Sequence, residues 1–421
     1  MQIKCLGGVG EYGRTSILLV GTHSTILLDC GTDKAGLTHE EQYPLLNEEI
    51  ATSIDLVLLS HSHEDHCSAL PYLYSLGFRG QVLCSDLTRQ QVPSYLAAWR
   101  EMNEKKGIPL PYRVEDEKRI QYRTFAEPLG EVFMEQLDLY VKWGSSGHSF
   151  GAVWYDMEFE GYSIFFSGDY HTESALYKYY RPEEKKRDIA IVNTAYGVDR
   201  KKQAEQVKTL EELILRALQR GKHVLLPLPK VGRAQEVLLT LSKLFDKLDF
   251  EFQVIVEEEI VRPLREMESA AGWVKDFEVN ELSEQFTIVC DEKSRIVALK
   301  NGVPTIILAT DGMMQTGPAS FYFNYLSETD FLHIIFTGYV AKNTFGYHII
   351  EHPSSKYKGD KVRFKVHPNI IETEELLSGL MADRTILTHN FKVENDKVAE
   401  FLASNGFRNV FSIRSGGGIE F

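Results

Sequence analysis

Three histidines and two acidic residues stand within six positions, directly after a short and mostly apolar run at residues 54–59. The length and β-branched content of that run predict a buried strand. Imidazole nitrogen and carboxylate oxygen are ligands that zinc takes, and a strand beneath them would hold them in a fixed direction. The spacing His61-x-His63-x-Asp65-His66 therefore predicts a metal site, and the alternative is a polar turn that is merely rich in histidine.

This spacing resembles the metal motif of the metallo-β-lactamase superfamily, which lies in the loop after a strand. The resemblance extends to one position before this motif and two positions after it. Asp29 matches an aspartate that braces the metal loop, with an ordinary turn residue as the alternative. His148, after a glycine, matches the third histidine of one metal ion, and Asp169, also after a glycine, matches the carboxylate that both ions share.

The resemblance implies seven metal ligands in two groups. His61, His63 and His148 would hold one ion, Asp65, His66 and His389 would hold the other, and Asp169 would bridge them. The nitrogen-rich set implies two Zn²⁺ ions, with Mn²⁺ as the alternative because carboxylates also suit a harder cation. Two ions about 3.5–4 Å apart can clamp the oxygens of a phosphodiester and lower the pKa of a water molecule. Asp65 and Asp169 are accordingly candidate catalytic residues as well.

Strand-like and helix-like segments alternate after residue 193, which predicts an α/β unit with a largely parallel sheet. Several motifs here resemble the β-CASP branch of the superfamily, whose members are nucleases of RNA or DNA. They are the Tyr196-Gly197 turn, the segment from Gly232 to Glu236, the segment from Asp311 to Gly317, Phe336 to Tyr339, and Thr344 to Gly346.

The resemblance implies an α/β fold in which a metallo-β-lactamase αββα sandwich carries an inserted β-CASP α/β domain. We predict a first part of the metallo-β-lactamase domain at residues 1–192, the insertion at 193–345, and the C-terminal part of the metallo-β-lactamase domain at 346–421.

Two late segments, at residues 362–367 and 384–389, are each predicted to be a strand ending in a histidine. The first histidine, His367, is a candidate general acid for the leaving oxygen or a hydrogen-bond donor to the scissile phosphate. A structural histidine at a strand end is the alternative. The family usually has an acid that hydrogen-bonds this histidine, where this chain has Asn193. A neutral amide would orient the ring without charge support, which predicts that His367 is less readily protonated.

The substrate implied by the resemblance is single-stranded RNA. A histidine at the position of His389 accompanies the RNA-processing members of the family. A single strand can bring its phosphate to a recessed site, whereas a duplex would have to distort. Arg233 and the backbone at Gly317 are candidate phosphate contacts, and a solvated surface charge is the alternative for each.

Three other functions compete with a metal-dependent ribonuclease: a small-molecule metallohydrolase, a DNA nuclease, and a catalytically weak RNA-binding scaffold. The predicted insertion argues against an open pocket for small substrates, and the complete ligand set argues against a scaffold. The net charge of −14 excludes a protein that wraps duplex through a broadly basic surface. Endonuclease and exonuclease cleavage both remain open.

Five cysteines without a C-x-x-C pair predict reduced thiols in a cytoplasmic protein. No apolar run reaches membrane-spanning length, so no membrane partner is expected. A monomer and a homodimer are both compatible with the sequence.

The segment Gly8-Val-Gly10-Glu-Tyr-Gly13 matches the dinucleotide-binding fingerprint G-x-G-x-x-G. That fingerprint should open a helix, but the residues after Gly13 are β-like and are followed by a turn and a second apolar run. We therefore predict a β-hairpin at this place.

Overall fold

The computed structural model describes residues 1–245, 249–327, 332–342, 344–354 and 356–421. The chain divides into two compact units. The first contains Met1–Thr172, Lys178–Arg200 and His367–Phe421, and the second contains Glu173–Tyr177 and Lys201–Val366. The first unit is therefore assembled from three separate stretches of sequence.

Strands and helices alternate along most of the described chain. The strands are β1 (Gln2–Gly7), β2 (Ser16–Val20), β3 (Thr25–Leu28), β4 (Leu56–Leu58), β5 (Gln81–Ser85), β6 (Tyr122–Phe125), β7 (Leu129–Met134), β8 (Leu139–Ser145), β9 (Val153–Phe159), β10 (Tyr162–Phe166), β11 (Ile189–Asn193), β12 (His223–Pro227), β13 (Gln253–Glu257), β14 (Thr287–Val289), β15 (Thr305–Ala309), β16 (Leu332–Phe336), β17 (Tyr357–Lys361), β18 (Arg384–Thr388), β19 (Val410–Phe411) and β20 (Gly418–Glu420). The helices are α1 (His39–Gln42), α2 (Glu48–Ser53), α3 (Glu64–Cys67), α4 (Leu70–Ser75), α5 (Asp86–Lys106), α6 (Val114–Glu117), α7 (Gln203–Leu218), α8 (Arg233–Phe245), α9 (Glu258–Glu268), α10 (Val279–Ser283), α11 (Glu292–Leu299), α12 (Gly317–Leu326), α13 (Phe345–Glu351), α14 (Ile370–Leu380) and α15 (Lys392–Ser404).

The first sheet has the strand order β20-β1-β2-β3-β4-β5-β6 among the described residues. Strands β1, β2 and β3 pair antiparallel, whereas β3, β4, β5 and β6 pair parallel. The glycine-rich segment at residues 8–13 therefore precedes a strand and opens no helix, because β2 pairs with β3 as a hairpin. This confirms the predicted hairpin and excludes the dinucleotide fingerprint.

The second sheet of the first unit has the order β19-β18-β11-β10-β9-β8-β7 in the described part of the chain. It contacts the first sheet through Tyr155, whose hydroxyl donates hydrogen bonds to the carbonyl oxygens of Leu59 and Leu83. Strands β10, β11 and β18 are parallel neighbours. Residues that follow these three strands are therefore brought to one edge of the sheet.

Helices cover the outer face of each of these two sheets. Apolar residues of α4 and α5, such as Leu73 and Trp99, are buried in one core with the first sheet. Apolar residues of α14 and α15, such as Leu377 and Leu402, are buried in another core with the second sheet. The order helix, sheet, sheet, helix confirms the predicted αββα sandwich.

The second unit contains a parallel sheet with the order β14-β13-β15-β12-β16-β17 among its described residues. Its strands are buried runs such as Thr305–Ala309, and α12 packs in the same core. An all-parallel sheet needs cover on both faces, which explains the near-continuous apolar strands. No helix in the described residues combines the length and the apolar character needed to cross a bilayer.

The prediction of a strand at residues 362–367 was wrong. The strand in this region is β17, which ends at Lys361, and the following residues have no regular structure as far as His367. Phe364 still donates its backbone N–H to Thr337, so this stretch is held by isolated bonds and not by a ladder. The main part of the second unit begins at Lys201, after β11, because β11 pairs with β18 in the second sheet of the first unit. It ends at Val366, after β17, because β17 pairs with β16 in the sheet of the second unit.

Glu236, on α8, ties the short segment Glu173–Tyr177 to the rest of the second unit. Its carboxylate accepts a hydrogen bond of 2.9 Å from the backbone N–H of Ala175. The side chain is fully buried. Burial raises the pKa of Glu236 from its ordinary value of 4.5 to about 7, although the hydrogen bond from Ala175 lowers it. Ionised Glu236 therefore destabilises the folded protein at alkaline pH.

We predict that Glu236→Gln stabilises the protein at about pH 8 relative to the wild type, and that most of this gain is lost by about pH 5. A carboxyl group with a raised pKa in the folded state contributes full stability below its ordinary pKa and loses it as pH rises through about 7. The stabilisation by Glu236→Gln should be larger at pH 8 than at pH 5 by about 2–3 kcal/mol in the free energy of unfolding. Thermal unfolding across this pH range measures it, with exposed Glu205→Gln as the control. Parallel profiles for Glu236→Gln and the wild type would contradict the prediction.

Candidate metal centre

The seven predicted ligands come from four places in the first unit. His61 and His63 follow β4, and Asp65 and His66 lie on the short helix α3. The other three residues follow strands of the second sheet: His148 follows β8, Asp169 follows β10 and His389 follows β18. The loop after a central strand of one sheet thus meets three strand ends of the other.

Asp169 lies at the centre of this cluster, and each of its carboxylate oxygens faces a different pair of histidines. Oδ2 is 3.5 Å from His148 Nε2 and 3.8 Å from His61 Nε2. Oδ1 is 3.5 Å from His66 Nε2 and 3.6 Å from His389 Nδ1. One carboxylate therefore contributes one oxygen to each of two ligand groups.

The remaining two predicted ligands complete these groups. His63 Nδ1 lies 3.2 Å from His148 Nε2, on the Oδ2 side of Asp169. Asp65 Oδ2 lies 3.6 Å from His66 Nε2 and 3.8 Å from His389 Nδ1, on the Oδ1 side. The possible ligand atoms of His61, His63, His148 and Asp169 lie within 4.8 Å of one another, and so do those of Asp65, His66 and His389. The structure thus brings together all seven residues named from the sequence.

Three ring nitrogens in this cluster are buried and have no hydrogen-bond partner among the described residues: His61 Nε2, His66 Nε2 and His389 Nδ1. A buried polar atom without a partner costs about 1–3 kcal/mol. Each of these atoms faces Asp169 across 3.5–3.8 Å. The nitrogen and oxygen donor set and its unsatisfied atoms fit divalent cations, because a cation would satisfy these atoms together.

The protonation of His61, His63 and Asp169 suits a cation, whereas His66 would have to lose a proton to bind one. Burial lowers the pKa of His61 well below its ordinary value and that of His63 to about 4, so both rings have a lone pair available at neutral pH. Burial raises the pKa of Asp169, but His389, His66 and other histidines outweigh it and hold the pKa well below its usual range. Burial lowers the pKa of His66, yet three carboxylates, Asp169 first among them, raise it well above its ordinary value.

Asp29 and the residues after it brace the loop that carries four of the ligands. The Asp29 carboxylate lies 2.7 Å from His66 Nδ1 and accepts a hydrogen bond from the backbone N–H of Ser60. Backbone bonds join Cys30 N–H to His66 O. Gly31 passes so close that a β-carbon there would overlap the carbonyl group of Asp65. Asp29 and its neighbours thus contact the loop at three places, through a side chain, a backbone bond and a close approach.

The sequence predicted that the amide of Asn193 orients the ring of His367. In the described part of the chain Asn193 instead contacts Asp169, and it makes no hydrogen bond with His367. Its Nδ2 donates to Asp169 Oδ1 at 2.5 Å, and its Oδ1 accepts from Ala195 N–H at 2.9 Å. The reason is strand pairing: β10 and β11 are parallel neighbours, so the residues at their ends are adjacent. Asn193 thus orients the central carboxylate.

His367 lies beside the cluster, with Nδ1 3.7 Å from Asp169 Oδ2 and its ring 4.8 Å from the ring of His148. Its side chain is 16% exposed, which keeps one edge accessible. Burial lowers the pKa of His367 well below its ordinary value, and Asp169 only partly compensates. The lowering is caused by burial, and the effect of Asn193 relative to the family's acid stays a prediction.

Arg233 and Gly317 lie in the second unit. Arg233 lines a cavity of about 340 Å³ together with Asp311, Phe336 and Tyr339. Its Nε is buried and has no hydrogen-bond partner among the described residues. Gly317 is exposed and opens α12, so its backbone N–H is at a helix N-terminus, where anions are favoured.

Sequence reasoning missed two residues of the centre, Ser60 and Tyr12. The Ser60 hydroxyl lies between Asp29 and His61, and its position directly before the histidine motif was the signal that could have identified it. The Tyr12 ring packs edge-on against His389 at 5.6 Å, and its hydroxyl donates to Ala195 O. Nothing in the sequence links Tyr12 to His389, because they are far apart in the chain.

Residues 9–213 match the family model of the metallo-beta-lactamase superfamily. With this match, the αββα sandwich and the clustered ligands, the chain belongs to the metallo-β-lactamase superfamily, which uses divalent metal ions. Residues 234–349 match the Beta-Casp domain. The chain is therefore a member of the branch in which a Beta-Casp domain is inserted into the metallo-β-lactamase fold.

Several similar proteins bear the name transcription termination factor FttA. The one from Methanothermobacter thermautotrophicus is 28% identical over 96% of this chain and 67% of its own length. The one from Lokiarchaeum is 28% identical over 83% of this chain, and the one from Pyrococcus horikoshii is 29% identical over 82%. The matched region spans 57% of the length of each of the last two relatives.

A solved structure with a similar fold is that of a protein of unknown function from Enterococcus faecalis V583. The two chains superpose with a TM-score of 0.64, and the match covers 99% of each chain at 12% sequence identity. At this identity the likeness concerns the fold alone.

We predict that Gly31→Ala destabilises the protein by about 3 kcal/mol, because the new β-carbon would overlap the backbone of the ligand-bearing loop at Asp65 and His66. The matched control is Gly379→Ala on α14, where the nearest atom to the added carbon is 3.4 Å away. Chemical denaturation measures both variants. Equal stability of the two variants would show that the loop can move aside without cost.

Asn193→Asp should destabilise the metal-free protein by about 3 kcal/mol, because it replaces the donor to Asp169 with a second buried carboxylate. Denaturation in the presence of a chelator measures this loss. The control is Asn47→Asp, since Asn47 caps α2 through its side-chain oxygen and aspartate caps equally well. An Asn193→Asp protein as stable as the Asn47→Asp protein would refute the contact.

Proposed function

We propose that this protein is a metal-dependent ribonuclease that hydrolyses phosphodiester bonds of single-stranded RNA. The observation that carries the proposal is the division of Asp169 between two ligand groups, one on each carboxylate oxygen. Paired cation sites of this kind suit in-line displacement at phosphorus. The superfamily membership and the names of the relatives, which concern transcription, support a nucleic-acid substrate.

In this proposal His61, His63, His148 and Asp169 Oδ2 hold one cation, and Asp65, His66, His389 and Asp169 Oδ1 hold the other. Two Zn²⁺ ions suit these nitrogen-rich groups, with Mn²⁺ as the alternative. When bound, the cations would supply Lewis acidity that activates a water molecule and offsets phosphate charge.

The chain's own residues supply the other functions. Asp65 is 29% exposed at the edge of the cluster, so one of its oxygens can accept the proton that an attacking water loses. His367 donates a hydrogen bond or a proton at the phosphate oxygen or the leaving oxygen, from its accessible edge. Asn193 keeps Asp169 in its orientation through the bond to Oδ1.

Arg233 and the backbone at Gly317 are the proposed phosphate contacts in the second unit. Arg233 has a buried nitrogen without a described partner in a cavity that Tyr339 also lines. The Tyr339 side chain is 73% exposed, and an exposed aromatic ring can stack on a base of a single strand. A local site of this kind is compatible with a net charge of −14. The described cysteines are all unpaired, which supports the proposed cytoplasmic location.

The central test is cleavage of end-labelled single-stranded RNA, with a DNA strand of the same sequence as comparison and Zn²⁺ or Mn²⁺ added. We expect metal analysis to find about two ions per chain, and cleavage of RNA in preference to DNA. His63→Ala and Asp169→Ala should abolish cleavage and lower the metal content, whereas His367→Ala should abolish cleavage with the metal content unchanged.

The exposed residue His23 offers a control, and His23→Ala should behave like the wild type in both measurements. Cleavage retained after Asp169→Ala would refute the bridging role. Preferential cleavage of DNA would favour the DNA nuclease, and RNA binding without cleavage at full metal content would favour the scaffold.

A further inference from the structure

The Ser60 hydroxyl connects a ligand histidine to the buried carboxylate of Asp29. Ser60 Oγ donates a hydrogen bond of 2.7 Å to Asp29 Oδ2 and lies 3.0 Å from His61 Nδ1. The same oxygen of Asp29 lies 2.7 Å from His66 Nδ1. All four side chains are at most 1% exposed, so water does not compete for these contacts.

The available donors determine which atom carries the proton in each of these hydrogen bonds. A hydroxyl has one proton to donate, and the Asp29 carboxylate is a stronger acceptor than a neutral imidazole nitrogen. The Ser60 proton therefore points at Asp29, and the Ser60 oxygen accepts a hydrogen bond from the protonated Nδ1 of His61. Likewise His66 Nδ1 carries the proton that it shares with Asp29.

We propose that Asp29 sets the tautomer of two histidines at once, His66 directly and His61 through Ser60, so that Ser60 is a positioning residue for one ion. This inference rests on the proposed two-metal site. With Nδ1 protonated, Nε2 is the atom of each ring that faces Asp169, at 3.8 Å for His61 and 3.5 Å for His66, and it is the atom left to bind a cation.

The two histidines belong to different ligand groups. His61 lies on the Oδ2 side of Asp169 and His66 on the Oδ1 side. Ser60 and Asp29 should therefore differ in their effects. Removing the Ser60 hydroxyl removes the hydrogen bond to His61 alone, whereas removing the Asp29 charge weakens the hydrogen bonds that orient both rings. The backbone N–H of Ser60 donates to Asp29 Oδ1 independently of the hydroxyl, so Ser60→Ala preserves the bracing of the loop.

The experiment compares wild type, Ser60→Ala, Asp29→Asn and Ser62→Ala. Ser62 is a matched control, because it is a buried serine of the same segment whose hydroxyl donates a hydrogen bond to Gln91 and makes none to a histidine in the described part of the chain. Each protein is loaded with Zn²⁺ and titrated with a chelator to measure the affinity of each ion. In parallel, NMR of metal-free protein with ¹⁵N-labelled histidine reports which nitrogen of His61 carries the proton, with His61→Gln to assign the signal.

We expect Ser60→Ala to weaken one ion about tenfold or more and leave the other as in the wild type. Asp29→Asn should weaken both, and Ser62→Ala neither. The NMR signals should show Nδ1-protonated His61 in the wild type and the Nε2-protonated form in Ser60→Ala.

Unchanged His61 signals in Ser60→Ala, with both ions bound as in Ser62→Ala, would overturn the inference. If the wild type binds no Zn²⁺, the proposed function fails, while the His61 signals still decide the role of Ser60. Should Asp29→Asn not fold, the contrast between Ser60→Ala and Ser62→Ala remains decisive.

Discussion

The convergence of histidine nitrogens on the Asp169 carboxylate is the constraint on which the rest of the first unit depends. Four ring nitrogens lie 3.5–3.8 Å from its two oxygens, too far for hydrogen bonds and close enough for lone pairs to repel each other. Such an arrangement is costly unless a cation lies among the atoms or protons compensate. The fold therefore has to hold the ligands together, which explains the dense bracing around them.

That bracing consists of short, buried contacts made by residues that are not ligands. Asp29 connects to both sides of the cluster, Asn193 donates to the central carboxylate, and Tyr12 packs against His389. Each contact fixes a ring or a carboxylate that would otherwise have rotamer freedom. The outer residues thus determine the direction in which the ligands present their lone pairs, while the ligands determine the type of ion.

The second unit combines a parallel sheet with a cavity after the carboxyl ends of its strands β12 and β16. Arg233, the first residue of α8, and the turn before α12 lie at this edge, because parallel strands present their carboxyl ends together. A partly buried guanidinium and exposed Tyr339 in one cavity offer charge and stacking without a basic surface. In the proposed function, these two groups give a chain with a charge of −14 a local site for a polyanion.

The sequence by itself determined the ligand types, the hairpin at residues 16–28, the sandwich with its insertion, and the seven residues that the fold brings together. The hairpin follows from local periodicity, whereas the sandwich and the full ligand set follow from the resemblance of short motifs to those of the family. Only the tertiary structure decided the partner of Asn193, the absence of a strand at residues 362–367, and the roles of Ser60 and Tyr12. The physical reason is that strand pairing determines which side chains meet at a sheet edge, and pairing joins segments that no local pattern relates.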